Sequence, residues 1–329
     1  MEHVKSEVCR IAHAYSLDLL VSNRQRKRIE SVELVRQDRD RNQQKLAFNA
    51  RPFVLCGLPI RRPPAGTLQH TRRNGRFKLE VIAHPDYGLP FGQDRLIPIW
   101  VATLAVRQKS QTVLFRSAAE ILEEFDLPRD GPHYRRLIDG FKRIFTSTIY
   151  FGTDTPEQRQ QVWDCRRFHF FDRLRIWCSR GAPDITVDAD PDQNIIRLSE
   201  PFWREIEAHP IPVDLRVVRE LTNIPGCLDL YMWLCWRCFN AKRTDDVPLF
   251  GGTGLACQLG VVDYSRDRNF RKRLKDWLKM VLLYWPECPA RITADGLALR
   301  VGPSPGSAVM AKPPTFPVSL ESSAWLGDS

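Results

Sequence analysis

Two spacings of apolar residues take turns along this chain of 329 residues. Helical spacing, with apolar positions three or four apart, runs through residues 93–110 (QDRLIPIWVATLAVRQKS), 133–145 (HYRRLIDGFKRIF), 228–241 (LDLYMWLCWRCFNA) and 265–285 (SRDRNFRKRLKDWLKMVLLYW). Short strand-like runs occupy 111–116 (QTVLFR), 147–152 (STIYFG), 163–179 (WDCRRFHFFDRLRIWCS), 194–199 (NIIRLS) and 247–250 (VPLF). Residues 117–125 (SAAEILEEF) predict a short helix, with Ser117 as N-cap and Glu120 completing a capping box. Pro132 suits the first turn of the helix that follows. A second short helix is predicted over 253–261 (TGLACQLGV), and Ala294-Asp295-Gly296 within 290–301 (ARITADGLALRV) marks a β-hairpin.

Helix, short strand, short helix, long helix and hairpin therefore occur in that order twice, which is the order of a winged helix. The expected fold class is α+β, with two tandem winged-helix domains and flexible N-terminal and C-terminal segments. Residues 1–75 read as a variable, charged segment. Its stretch 23–45 could be a solvated helix or stay disordered until it meets a partner, and RRPPAG at 61–66 reads as a linker. Residues 76–198 form the expected N-terminal winged-helix domain and 199–302 the C-terminal, DNA-binding one. The Pro- and Ser-rich residues 303–329 are an expected disordered tail.

Charge changes the picture at the last long helix. At 100° per residue, Phe270, Leu274, Trp277, Leu278, Val281 and Leu282 share one face. Arg268, Arg271, Lys272, Lys275 and Lys279 fall opposite, with Asp267 and Asp276 towards the sides. A basic run is often only a solvated face, and long basic side chains also cover apolar surface. Here the helix is third in its half and precedes a hairpin, the place where helix-turn-helix proteins put a recognition helix. Arg266, Arg268, Asn269 and Arg271 are then the candidate base readers, because Arg pairs with guanine and Asn with adenine. Lys272, Lys275 and Lys279 are candidate phosphate holders, and Arg291 and Arg300 of the hairpin would touch the adjacent backbone or minor groove. The matching helix of the first half offers Arg135, Arg136, Lys142 and Arg143, diluted by Asp139, as a phosphate anchor or a dimer-packing surface.

The whole chain agrees with a polyanionic partner, at a formal net charge of +10 and a pI near 9.3. Its nine cysteines are odd in number and sit in apolar segments, as in a reduced, cytosolic protein. Cys235 and Cys238 form a CxxC inside a buried-helix pattern and are read as core. No apolar run is long enough for a membrane span, and the N-terminus carries charges inside its apolar part, unlike a secretion signal. Gly251-Gly252-Thr253-Gly254 lacks the lysine of a phosphate-binding loop and reads as a turn. The run Asp188-Ala189-Asp190-Pro191-Asp192 has Gln193 where a calcium loop needs Gly and Ser199 where it needs Glu. His169 reads as a strand histidine, and no His-x-His pair, GxSxG or HExxH is present. No enzymatic activity, cofactor or metal is expected.

Residues 87–116, YGLPFGQDRLIPIWVATLAVRQKSQTVLFR, resemble the plasmid-encoded RepA replication initiators. Leu89-Pro90-Phe91-Gly92 stands where the family has Leu-Pro-Tyr-Gly, and Arg95-Leu96, Trp100, Thr103 and Ala105 fit its pattern. A second match is Pro212-Val213-Asp214-Leu215-Arg216, followed by Leu228-Asp229-Leu230-Tyr231 and Trp233-Leu234. Cys235-Trp236 departs from the tyrosine or arginine common there, and residues 1–75 match nothing of the family. The resemblance implies a cytoplasmic bacterial protein, associated with plasmid and nucleoid, that binds repeated sites in double-stranded DNA at a replication origin. It also implies help in melting the origin, recruitment of a host replication initiator and helicase, and a monomer–dimer switch through a homodimer. The alternative is a winged-helix transcriptional repressor without a replication role. An RNA-binding or scaffold protein would expose stacking aromatics, whereas most aromatics here lie on apolar faces.

Overall fold

A computed structural model of the chain describes residues 22–75, 77–153, 164–175, 194–261 and 267–304. Two compact units divide it, residues 1–44 and 45–329. In the first, helix α1 (Asn23–Asp40) opens with a capping box: the Ser22 hydroxyl accepts from the Gln25 N–H, and the Gln25 carboxamide accepts from the Ser22 N–H. The stretch left open between helix and disorder is thus helical over residues 23–40.

Ordered elements of the second unit begin thirty residues earlier than the reading of residues 1–75 as segment and linker implied. Strand β1 (Leu46–Ala50) runs into helix α2 (Arg51–Leu55), whose Pro52 sits in the first turn, and β2 (Gln69–Asn74) follows. Only the connection around RRPPAG stays irregular. The apolar run LAFNARPFVL hides these elements because it has neither period, and its strand partner lies far along the chain. That partner is β9 (Pro210–Asp214), paired antiparallel from Leu46↔Asp214 to Ala50↔Pro210.

Next come β3 (Phe77–Ile82), a 3-10 turn (Gly92–Arg95), α3 (Leu96–Gln108), β4 (Thr112–Leu114), α4 (Ala119–Glu124) and α5 (Gly131–Thr146). Strands β5 (Thr148–Thr153) and β6 (Asp164–His169) then leave this half to join β2 and β3 in a four-stranded sheet ordered β2-β3-β5-β6. Strands β7 (Phe171–Arg175) and β8 (Ile195–Leu198) close the half as an antiparallel sheet ordered β4-β8-β7. The acidic run at 188–192 lies outside the described residues.

After α6 (Glu200–Ala208), β9 and α7 (Leu215–Leu221), the second half repeats the plan. It consists of α8 (Pro225–Asn240), β10 (Asp245–Pro248), α9 (Leu255–Gln258), α10 (Asp267–Tyr284) and the hairpin β11 (Ala290–Ile292) and β12 (Ala298–Val301). Its sheet is ordered β10-β12-β11. In both halves the last strand of the chain takes the middle of the sheet. The architecture is α+β with small antiparallel sheets.

The capping box read at Ser117 does not form. Helix α4 starts at Ala119 without a side-chain cap, and Glu120 accepts instead from the Arg116 backbone N–H at 3.1 Å and its guanidinium at 2.7 Å. A charged donor outcompetes the neutral backbone group. At α5 the first-turn proline holds, with Asp130 capping the His133 N–H at 2.9 Å.

One buried ion pair ties the two halves together. Arg95, at the start of α3, and Asp229, in α8, meet at 2.7 Å with side chains 4% and 5% exposed. Arg95 also donates to the carbonyls of Gly92, Leu58 and Pro59 at 2.9–3.0 Å, which completes its fork. Burial raises the Asp229 carboxyl to about 6, and the Arg95 guanidinium pulls it back. Gly57 is required opposite: a Cβ there would lie 2.8 Å from Asp229 Oδ2.

Candidate nucleic-acid interface

Helix α10 presents its apolar face inward, with Phe270, Leu274, Trp277, Leu278, Val281 and Tyr284 buried. Leu282, expected on that face, is half-buried, and Tyr284 takes the last inward position. The seat is cut by Gly226 of α8. A Cβ at Gly226 would lie 2.3 Å from the Trp277 ring, so only glycine lets α8 and α10 close. The Cys227 thiol adds a hydrogen bond to the Trp277 carbonyl at 3.5 Å.

Facing outward are Arg268, Asn269, Lys272, Lys275 and Lys279, all exposed. Arg266 lies outside the described residues. Arg268, Lys272, Lys275 and Lys279 follow the helix at steps of three or four and make no ion pair among the described residues. From Arg268 to Lys279 the row is roughly 16 Å long at 1.5 Å per residue.

Arg271, placed on this face by the helical wheel, departs from it. It is half-buried, and its guanidinium carbon lies 5.1 Å from the centroid of the Phe250 ring. Phe250 packs edge-on against Phe270 and leads into the turn Gly251–Gly254. That turn is pinned to the core through Gln258, which donates to the Thr253 carbonyl at 2.7 Å and accepts from the Trp233 indole at 3.0 Å. A Cβ at Gly254 would sit 2.4 Å from the Phe250 backbone, so the sequence GGTG serves the wrap of this turn. The cation–π contact draws Arg271 off the outward row. Arg273, which the reading omitted because it falls beside the buried stripe, is exposed and free of ion pairs among the described residues. Fraying the apolar stripe to its true width is the signal that would have found it.

In the hairpin, Arg291 is exposed on β11 and stands directly opposite Arg300 of β12. Arg300 is held by both oxygens of Asp246 at 2.7 Å each, which lowers the Asp246 carboxyl. Between the strands, Gly296 takes φ +67° and Asp295 accepts from Thr293 Oγ1 and the Leu297 N–H, the turn expected from Ala294-Asp295-Gly296.

The first-half residues divide. Arg135, Arg136 and Lys142 of α5 are exposed; Arg136 bonds the Gln93 carboxamide at 2.9 Å, and Lys142 approaches Asp139 at 4.0 Å. Arg143 is half-buried and turned to the protein. It grips Asp94 with two hydrogen bonds, at 2.7 and 2.9 Å, and lies over the Phe91 ring at 4.8 Å. Gly140 makes that approach possible, since a Cβ there would meet Asp94 Oδ1 at 2.7 Å. Buried Asp94 needs the charge more than solvent does.

The cysteines of the described core are shielded from solvent. Burial pushes the Cys56 and Cys227 thiols up to about 12, which keeps them protonated. Cys235 and Cys238 are core residues, and among the described residues no group of His, Cys, Asp and Glu could hold a metal ion. No described helix is long and apolar enough to cross a membrane.

The motifs that carried the resemblance meet in space. Arg95 of the first pairs with Asp229 of the second, and the Asp214 N–H donates to the Tyr231 hydroxyl at 3.1 Å. Asp214 also caps α7, and Thr103 accepts from the Phe48 N–H at 2.8 Å. Residues 159–246 match the model of the family described as plasmid encoded RepA protein, which bears out the resemblance over that segment. No curated protein matches the chain. Among solved structures, a selenomethionine crystal structure of domains 2 and 3 of RctB aligns at 18% identity and a TM-score of 0.47, covering 67% of this chain and 80% of that one. Another structure of RctB domains 2-3 aligns at 16% identity and a TM-score of 0.47, covering 74% and 92%.

Proposed function

We propose that this chain, RepA-type over residues 159–246, is a replication initiator that binds repeated sites in duplex DNA through α10. The observation that carries the reading is the outward row Arg268, Lys272, Lys275 and Lys279, exposed and without ion pairs on the third helix of its half. Like charges at that spacing repel by a few tenths of a kcal/mol per pair, and phosphates would turn the cost into gain through counterion release. Each half is read as a winged helix, a reading supported by the shared strand order β4-β8-β7 and β10-β12-β11. In this arrangement Arg268 and Asn269 reach base edges, Lys272, Lys275 and Lys279 hold phosphates, and Arg291 touches the neighbouring backbone.

The protein acts by binding rather than by turnover, in the cytoplasm, and hands the origin to a host initiator and helicase. Occupancy of an array of direct repeats would separate it from a repressor dimer on one inverted repeat. The test is a competition between duplex flanking the protein's own gene and a scrambled duplex. Arg268→Ala and Asn269→Ala should each erase about 1–3 kcal/mol of the discrimination. Undiminished discrimination in both variants would remove α10 from sequence reading.

A further inference from the structure

Helix α10 is fastened within its half at two points, about 9 Å apart along its axis. The far point is Trp277, seated over Gly226 of α8. The near point is the Phe250 ring, which α10 grips twice. Phe270 meets that ring edge-on with centroids 5.8 Å apart, and the Arg271 guanidinium carbon lies 5.1 Å from its centroid. Phe250 is in turn tied to α8. The turn it opens is bonded through the Thr253 carbonyl to Gln258, and Gln258 to the Trp233 indole. Ahead of the near point α10 has Asp267, Arg268 and Asn269, all exposed.

Arg271 does not stand as its basic neighbours do. Arg268, Lys272 and Lys275 are exposed, whereas Arg271 is half-buried, and its Nε is buried with no hydrogen-bond partner among the described residues. A guanidinium gives up that hydration only against a return, and here the ring face supplies it. The charge is thereby kept off the outward row. We infer that Arg271 and Phe250 are positioning residues: they aim the first turn of α10, where Arg268 and Asn269 stand, and touch no DNA themselves. This role rests on the reading of α10 proposed above. The lever arms about Trp277 differ along the helix. A tilt of about 5° there carries Arg268, about 13 Å away, by roughly 1 Å, and Lys275 and Lys279 by only about 0.3 Å. Base-edge hydrogen bonds are lost over the larger displacement. A lysine ammonium is a point charge on a flexible stem and follows its phosphate. Loosening the grip on Phe250 therefore costs sequence reading and spares electrostatic binding.

The test uses full-length protein, the duplex flanking its own gene and a scrambled duplex, each across a salt series. Phe250→Leu and Arg271→Met should each lower the ratio of flanking to scrambled affinity by roughly 5- to 150-fold, the range for one lost base contact. The slope of log K against log salt on the scrambled duplex should not change. Phe250→Tyr keeps the ring and Arg271→Lys the cation, and both should keep the ratio. Added to Arg268→Ala/Asn269→Ala, Arg271→Met should lower the ratio no further, because the residues it aims are gone. Where Phe250→Leu does not fold, Arg271→Met and Arg271→Lys carry the same comparison alone. A slope lower by about 0.9 in Arg271→Met makes Arg271 a phosphate contact and overturns the positioning role. A further fall in the combined variant makes Arg271 a base reader and overturns it too. An unchanged ratio in Arg271→Met, where Arg268→Ala/Asn269→Ala has lost it, overturns the role and leaves the reading of α10 standing. A wild type with no preference for the flanking duplex overturns both.

Discussion

Arg143, Arg271 and Arg268 are the same residue type at similar helical positions, and their surroundings give them three different roles. Arg143 faces a carboxylate that is 4% exposed, so Arg143→Ala should cost about 3–5 kcal/mol of stability by leaving Asp94 buried and uncompensated. Denaturant melts measure it, and DNA affinity per folded molecule should not change. Arg268→Ala should cost less than about 0.5 kcal/mol in the same melts, since the side chain is exposed. The wheel could not separate the three, because Asp94 and Phe250 come from other elements. His70 makes a pH prediction at this scale. Burial lowers it from 6.5 to about 3, with its Nε2 3.0 Å from the Gly57 carbonyl. A depressed folded pKa means the unfolded chain binds the proton first. The stability from neutral His70 is therefore full above about pH 6.5 and is lost as pH falls towards 3. His70→Gln should flatten that limb of the stability–pH curve; an identical limb would remove His70 from the acid response.

The elements of the two repeated halves were legible because each obeys a single period over enough residues to bury one face. Helix α10 is the clearest case, its inward stripe being misjudged only at Leu282 and Tyr284. What stayed hidden depends on partners remote in sequence. Strand β1 waits for β9, and β5 and β6 look like part of a hairpin region until β2 and β3 claim them. The glycines were equally silent. Gly226 lies ahead of the helix expected over 228–241, yet it is inside α8 and is the place where Trp277 lands. Gly226→Ala should overpack that contact and cost about 1–3 kcal/mol. It should also speed amide exchange along α10, whereas Lys275→Ala, on the outward face, should leave exchange unaltered. Equal exchange in both variants would mean that α10 does not depend on this seat.

At the scale of the molecule, the halves are neighbours through specific groups as well as apolar surface. Arg95 and Asp229 form the buried link, and Gln93 and Asn223 bond at 3.0 Å nearby. Asp229→Ala should cost about 3–5 kcal/mol, because Arg95 would keep its charge without a counter-ion. The loss should appear as one cooperative transition at lower denaturant if the pair holds both halves in one folding unit. Two separated transitions in wild type would contradict that. The resemblance motifs were legible as strings, but their meeting at Arg95–Asp229 and Asp214–Tyr231 required the fold. The net charge of +10 points to a polyanion without saying where it lies; the proposed function puts it on the exposed row of α10.

The most direct measurement is a titration of the duplex flanking the protein's own gene, with a scrambled duplex beside it, at several salt concentrations. Wild type should fill the flanking duplex in steps and bind it more tightly than the scrambled one at near-physiological salt. Lys272→Ala/Lys275→Ala/Lys279→Ala should weaken both duplexes alike and lower the salt slope by about 0.9 per lysine in contact. Equal, weak binding of both duplexes by wild type, with the same slope in the variant, would contradict the account and leave the outer face of α10 a solvated surface.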